Sequence, residues 1–458
     1  MSEVVVVGAG LAGSEAALQL ADRGIDVRLY EMRPNKSTPA HHTGGYAELV
    51  CSNSLKSLDG ASAAGVLKYE LSMMGSRLID MAFRSMVPAG KALAVDRDVF
   101  SGLVTEAINS HPHITVVSEE LEELPAAPAI VATGPLTSDA LAASIQGALG
   151  TGFMSFYDAA APIVSYDSID LDRVFAQSRY GKGGADYLNA PFDKDEYEAF
   201  LDALLSAEKA IPKAFERKDL FSACQPVEEI ARTGRDALRF GPLKPVGLTD
   251  PETGRRPWAV VQLRSENGSG TAYNLVGFQT NLKFAEQERV FRMIPGLENA
   301  EFLRFGVMHR NTFIDSPHAL APGFESKATP GLRFAGQVTG TEGYCEAIAS
   351  GLMAALATYA QLEGHTLPEL PRHTMFGALC AYASDPTVEN YQPMHVNFGI
   401  LEPFEPKIKN KQDRYRAYAK RARESLRSYM EELVELGVLP ADALGRSVPQ
   451  SLAEYILG

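Results

Sequence analysis

The sequence predicts a doubly wound, Rossmann-type α/β domain that is interrupted by an inserted α+β domain and followed by a helical C-terminal tail. Three observations predict it. A glycine-punctuated strand–turn–helix–strand unit opens the chain at residues 3–34, and a strand–glycine–helix unit returns at 331–357. Between them the residues alternate as antiparallel strands do. The expected division is 1–135 for the first part of the nucleotide domain, 136–304 for the insertion, 305–365 for the closing part and 366–458 for the tail. A chain of 458 residues is long enough for several cores.

Val4 to Val7 is a β-branched run and reads as a buried parallel strand. It enters Gly8-Ala9-Gly10-Leu11-Ala12-Gly13, a G-x-G-x-x-G turn. Ala16, Ala17, Leu20 and Ala21 then recur at helical spacing. Gly24 ends the helix, and Val27 to Tyr30 is the second strand, closed by Glu31 with Arg33 just beyond. The glycines differ in what they permit. Gly8 makes the tight turn, Gly10 allows close approach to a pyrophosphate, and Gly13 allows the helix to pack on the strand. The helix N-terminus favours phosphate charge, and Glu31 suits a ribose hydroxyl.

Residues 35–62 are rich in Ser, Thr, Gly, His and Asn and read as a long loop serving a site. The loop contains Cys51, either a small buried hydrophobe or a functional thiol. Residues 63–84 read as a helix. Residues 87–108 read as a short strand and a helix capped near Asp96 or Asp98. The strand at 128–135 ends in Thr133-Gly134, where it can touch the same dinucleotide. In the insertion, 152–170 is β-rich, 194–209 is a charged amphipathic helix and 220–250, which contains Cys224, is loop-like. Residues 256–280 read as two antiparallel strands joined at Asn267-Gly268. The closing unit runs from the strand at Leu332 through Gly336, Gln337 and Gly343 into an apolar helix. That second unit favours FAD over NAD at the first site.

The composition, 45% hydrophobic and 22% charged, is that of a globular protein. MSEVVVV has no basic targeting segment, and no apolar run has membrane-spanning length, so a cytoplasmic protein without a membrane partner is expected. Cys51, Cys224, Cys345 and Cys380 are widely spaced, which argues against a disulfide framework and against a zinc site of paired cysteines, and no metal is expected. The net charge of −14 means that any nucleic-acid partner needs a local basic patch. Lys407 to Arg427 holds nine Lys/Arg against two acids, with Tyr415 and Tyr418 interleaved. Arg416, Lys420, Arg423 and Arg427 would share one helix face, which is either a solvated face or a phosphate-contacting one.

No C-x-x-C pair is present for a flavin disulfide reductase. A lone thiolate instead suits attack on a carbon centre. Arg232, Arg235 and Arg239 follow Cys224 and would either activate it or bind phosphate. His309 is either structural or an acid–base or stacking group.

The stretches GAGLAGSEAA, YEMRP, AELVCSNSLKS, ALAVDRDVFS, LRFGPLKPVGL, GVMHRNTFIDSP and FAGQVTGTEGY, with the long run from Tyr273 to Phe302, resemble the bacterial folate- and FAD-dependent tRNA (uracil-5-)-methyltransferases over essentially the whole chain. The resemblance implies that methylenetetrahydrofolate donates a one-carbon unit to uridine 54 of the tRNA T-loop. It further implies that reduced FAD would act as carrier and reductant, with NAD(P)H regenerating it. It implies Cys224 as the nucleophile at uracil C6 and Cys51 as the base at C5. It places His309, Arg310, Asn311 and Tyr344 near flavin and folate, and it favours tRNA contact by the basic helix. Cys345 stands where relatives carry an aliphatic residue and is expected to pack. The rival expectations are a flavin oxidoreductase acting on a small molecule and a noncatalytic FAD-stabilised tRNA-binding protein.

Overall fold

The computed structural model describes residues 3–38, 40–150, 154–181, 184–211, 225–388 and 391–456, with side chains described except at 154–158, 309–310 and 455–456. The opening stretch of the chain runs β1 (Val4–Val7), α1 (Leu11–Ala21), β2 (Val27–Tyr30), β3 (Ser54–Ser57), α2 (Ala63–Met74), α3 (Arg77–Arg84), β4 (Met86–Val87), β5 (Ala92–Val95), α4 (Arg97–Asn109), β6 (Ile114–Val117), β7 (Ala129–Val131) and α5 (Asp139–Leu149). The middle segment runs β8 (Met154–Ala159), β9 (Ile163–Ser165), β10 (Phe175–Ala176), β11 (Tyr187–Phe192), α6 (Lys194–Ser206), α7 (Val227–Arg232), α8 (Ala237–Phe240), β12 (Ala259–Ser265), β13 (Ala272–Leu275), α9 (Phe284–Phe291) and β14 (Phe302–Arg304). The chain returns through β15 (Met308–Phe313), α10 (Ser316–Ala319), β16 (Leu320–Ala321), β17 (Glu325–Ser326), β18 (Leu332–Phe334) and α11 (Tyr344–Leu362), then ends in α12 (Met375–Ser384), α13 (Lys411–Glu435) and α14 (Gln450–Ile456).

Among the described residues, the first sheet has the order β16-β17-β18-β7-β1-β2-β6, and β18, β7, β1, β2 and β6 are parallel. The chain leaves β1 toward β2 on one side and later fills the other side with β7 and β18. Between β1 and β7 lies the switch point where open α/β sheets bind ligands. β1 is buried on both faces, as its run of valines requires. The helices α1 and α11 pack against each other over this sheet. A Cβ on Gly351 would lie 2.2 Å from the Ala12 carbonyl oxygen, so only glycine permits that approach. α11 is apolar around nearly its whole circumference and is correspondingly buried.

The middle segment builds an antiparallel sheet in the order β10-β11-β12-β13-β9-β14 with its own apolar core, centred on Phe192, Phe200, Phe278 and Phe291. β8 and β15 form a separate two-stranded antiparallel ribbon, with Asn311 opposite Phe156. The tail shares the core of the parallel sheet: Tyr418, Ala422, Leu426, Tyr429 and Leu433 of α13 join it.

Three local expectations change. The helix expected over 63–84 is two helices, because Gly75 takes a left-handed conformation (φ 82°) and Ser76 then caps α3 through its hydroxyl. The loop 35–62 contains β3, which pairs with β5. The stretch 220–250 contains α7 and α8: Glu228 lies buried in α7 and accepts the Asn281 N–H and the Thr280 hydroxyl.

Candidate functional site

The glycine loop shows three kinds of contact. Gly8 has φ 95°, and a Cβ there would sit 2.7 Å from the Ala132 carbonyl oxygen. A Cβ on Gly13 would sit 1.8 Å from the Gly8 oxygen, so this glycine lets α1 rest on the turn. A Cβ on Gly10 would meet nothing within 4 Å, because it projects into a cavity of about 390 Å³. Gly10 caps α1 without a side-chain bond, and Gly343 caps α11 likewise. Two helix N-termini with polar backbone therefore face one space, which suits a pyrophosphate or an electron-rich ring.

Glu31 lies at the end of β2 on the same cavity. Its carboxylate accepts the Ala9 N–H at 2.8 Å, the Arg33 N–H at 3.0 Å and the Arg33 Nε–H at 3.0 Å. Burial opposes its ionisation, but these donors outweigh burial and hold the carboxyl below the usual range. Arg33 is itself tied to the Gly45 carbonyl and to Glu48. Thr133 and Gly134 follow β7 into the cavity wall, and Gly336 and Gln337 follow β18 into it. Leu11 and Ala12 also line it, whereas Ala9 and Gly13 support the loop from behind.

The same cavity is also lined by Cys51, Ser52, Asn311 and Tyr344. The Tyr344 phenolic oxygen accepts the backbone N–H of Cys51 at 2.9 Å and of Ser52 at 3.2 Å. Burial pushes the Tyr344 phenol upward, and the neighbouring Cys51 adds to this, so the ring carries a neutral hydroxyl. The Cys51 Sγ lies 3.9 Å from the Ala159 carbonyl oxygen. Asn311 is 1% exposed, and neither its Nδ2 nor its Oδ1 has a partner among the described residues. A buried amide with free donor and acceptor capacity on a cavity wall is a group that a polar ligand can satisfy. The glycine cradle, the two uncapped helix ends, Glu31 and this amide fit a flavin dinucleotide.

His309 and Arg310 lie beside Asn311 on β15, opposite Asp158 and Tyr157 of β8. Cys224 falls outside the described residues. The arginines read as its neighbours are engaged elsewhere. Arg235 pairs with Glu198 and Asp202 of α6, Arg239 stacks over Trp258 at 3.6 Å, and Arg232 donates to the Leu205 carbonyl. They thereby tie α7, α8 and the turn between them to α6 and to Trp258. Cys345 is 4% exposed and its thiol is pushed up by burial, so it packs.

On α13, Arg416, Lys420 and Arg427 are exposed, each beside one acid of the same helix (Asp413, Glu424 and Glu431). Arg423 is half-buried near the Tyr69 ring, 5.8 Å from its centroid. Arg414 and Arg421 turn inward to the carbonyls of Ile408 and Glu402.

The sequence reading weighed His41 as a ligand and set it aside as an ordinary loop residue, and it missed Glu48 and Lys56 on the cavity wall and Arg97 and Arg304 at the Cys51 loop; His41 lines the same wall. The first three lie in the loop already read as functional. Among the described residues no group of three His, Cys, Asp or Glu could hold a metal, and no helix is long and apolar enough to cross a membrane.

Residues 3–366 match the family described as glucose inhibited division protein A. The chain is 53% identical over 428 residues to the methylenetetrahydrofolate–tRNA-(uracil-5-)-methyltransferase TrmFO of Shouchella clausii, covering 93% of this chain and 98% of that one. It is 54% identical over 432 residues to the protein of that name from Pelotomaculum thermopropionicum, with 94% and 99% covered. Among solved structures, Aquifex aeolicus GidA superposes with a TM-score of 0.69 at 16% identity, covering 99% of this chain and 75% of that one, which establishes the shared fold.

Proposed function

The chain belongs to the family of methylenetetrahydrofolate–tRNA-(uracil-5-)-methyltransferases, and from that premise we propose that it methylates C5 of the T-loop uridine in tRNA, with methylenetetrahydrofolate as carbon donor. The observation that carries the reading is the cavity whose wall joins Gly10, Glu31, Cys51 and the Asn311 amide, which has no partner among the described residues. FAD, when bound there, supplies the reducing equivalents that turn a methylene into a methyl group, and NAD(P)H restores it.

The residues divide this work. The backbone at Gly8 to Ala12 and the N-terminus of α1 hold the pyrophosphate, and Glu31 accepts from the ribose. Thr133, Gly134, Gly336, Gln337 and Gly343 line the same cavity and would hold the rest of the cofactor. Asn311 offers an amide donor and acceptor to the flavin or the folate, flanked by His309 and Arg310. Uracil C5 is a weak nucleophile until a thiolate adds at C6, and Cys224 is assigned that addition. Cys51 takes the proton from C5 once the carbon unit is attached. The exposed face of Arg416, Lys420 and Arg427, with Arg423 beside it, contacts tRNA phosphates. The division into 1–135, 136–304, 305–365 and 366–458 and a cytoplasmic location complete the proposal.

Nucleoside mass spectrometry of tRNA lacking the T-loop methyl group tests it. 5-Methyluridine is expected with methylenetetrahydrofolate and NAD(P)H and not with S-adenosylmethionine. Oxidation of NAD(P)H with the tRNA left unmodified would favour a flavin oxidoreductase acting on a small molecule.

A further inference from the structure

Cys51 sits in a loop with no regular secondary structure, yet both peptide planes beside its Cα are held at both ends. In the plane before it, the Val50 carbonyl accepts from Arg304 Nη2 and the Cys51 N–H donates to Tyr344. In the plane after it, the Cys51 carbonyl accepts from Arg97 Nη2 at 2.9 Å and the Ser52 N–H donates to Tyr344 at 3.2 Å. Arg97 Nη1 also holds the Leu49 carbonyl. Planar peptides leave two soft dihedrals per residue, so pinning both planes sets both dihedrals of Cys51 and hence the direction of its side chain.

The arginines that do this come from different layers. Arg97 opens α4 of the nucleotide-binding layer, and Arg304 ends β14 of the antiparallel sheet. Glu266, 5% exposed and just past β12, pairs with Arg97, whose side chain is 16% exposed. Taking such charges out of water is costly, and a buried ion pair is a weak source of stability. Here the guanidiniums are directed at the carbonyls of three consecutive residues in one cysteine loop. Arg304 Nε and Glu266 Oε1 have no partner among the described residues.

From this geometry we infer that Arg97 and Arg304 are positioning residues for the Cys51 thiol, with Glu266 orienting Arg97. The inference rests on the assignment of Cys51 to the transfer reaction proposed above. Its consequence is that the antiparallel layer, through Glu266 and Arg304, sets the thiol on the cofactor cavity.

The test uses the flavin-loaded full chain carrying Arg97→Lys or, separately, Arg304→Lys. Each keeps the positive charge and loses the planar fork. Three quantities are read: iodoacetamide labelling of Cys51 by peptide mapping, kcat against KM for methylenetetrahydrofolate, and the flavin absorbance spectrum. The expected result is a wild-type spectrum, Cys51 labelling faster by about fivefold or more, and kcat lower by roughly tenfold with KM within about twofold. Faster labelling with slower turnover separates a misdirected thiol from general loss of structure. The inference is overturned if Cys51 labelling in both variants stays within about twofold of wild type. If Arg97→Lys does not fold, Arg304→Lys, which disturbs one carbonyl, decides. Should wild type methylate no tRNA, the proposed function fails, while the labelling rates still judge the positioning claim.

Discussion

The Tyr344 phenolic oxygen accepts the backbone N–H of Cys51 at 2.9 Å, which ties the first residue of α11 to a loop 293 positions earlier. One hydroxyl thereby links the closing unit of the nucleotide-binding layer to the cysteine that faces the cofactor cavity. Tyr344→Phe keeps the ring and removes the acceptor for two backbone donors. We expect folded, flavin-binding protein destabilised by ~1–2 kcal/mol in denaturant titrations, with kcat reduced about tenfold.

Gly10 and Gly13 look alike in the motif but differ in surroundings. Gly13→Ala forces a Cβ to 1.8 Å from the Gly8 oxygen, whereas Gly10→Ala meets only the cavity. Gly13→Ala is expected to lower the yield of folded protein. Gly10→Ala should fold with a near-normal apo melting temperature and bind FAD weaker by at least about tenfold, ~1.4 kcal/mol. Flavin absorbance titration and apo melting temperature measure the two effects.

Glu70 is fully buried and accepts the Met375 and Phe376 N–H groups at the start of α12. Burial pushes its carboxyl up to about 8, against the pull of those two bonds. The folded state therefore keeps a proton that the unfolded state loses at lower pH. Its contribution to stability is present below the ordinary carboxylate range and is lost as pH rises through about 8. Glu70→Gln leaves one N–H without its acceptor, so it should be less stable than wild type by ~1 kcal/mol at acid pH. The gap should shrink or reverse above the upper value. Denaturant titrations at both ends of the window read this directly.

The α13 face makes a salt-dependent prediction. Arg416, Lys420 and Arg427 are exposed, and their paired acids contribute little to stability. Reversing all three to Glu should leave the melting temperature nearly unchanged while tRNA affinity collapses. Neutralising them one at a time should reduce the slope of log K against log salt by roughly 0.7–0.9 each.

What was legible in the sequence was local. Gly8 to Glu31 could be read because strand, turn, helix and terminal acid fall within one short unit. The return of the same pattern at Leu332 to Gly343 placed the second helix end on the same switch point. The break at Gly75-Ser76 was written in the chain, as a C-terminal glycine followed by an N-capping serine, but the apolar spacing of Leu67, Leu71, Met74 and Leu78 runs across it. Arg97 and Arg304 were not legible as site residues. They act on backbone carbonyls 46 and 254 positions away, and a bond to a carbonyl leaves no residue-type pattern at its acceptor. Arg232, Arg235 and Arg239 were grouped by their closeness in sequence to Cys224, whereas the acids, carbonyl and aromatic ring they meet are not readable from sequence proximity.

The central claim is that a flavin cradle and Cys51 act together on one uracil ring supplied with a folate carbon. Methylenetetrahydrofolate deuterated at both methylene positions, offered with NAD(P)H and unmodified tRNA, tests it most directly. Wild type should place both deuterium atoms in the new C5 methyl group of the T-loop uridine, and Cys51→Ala, with its flavin retained, should place none. Label appearing in the tRNA at the wild-type rate with Cys51→Ala, or a methyl group free of deuterium in wild type, would contradict the account.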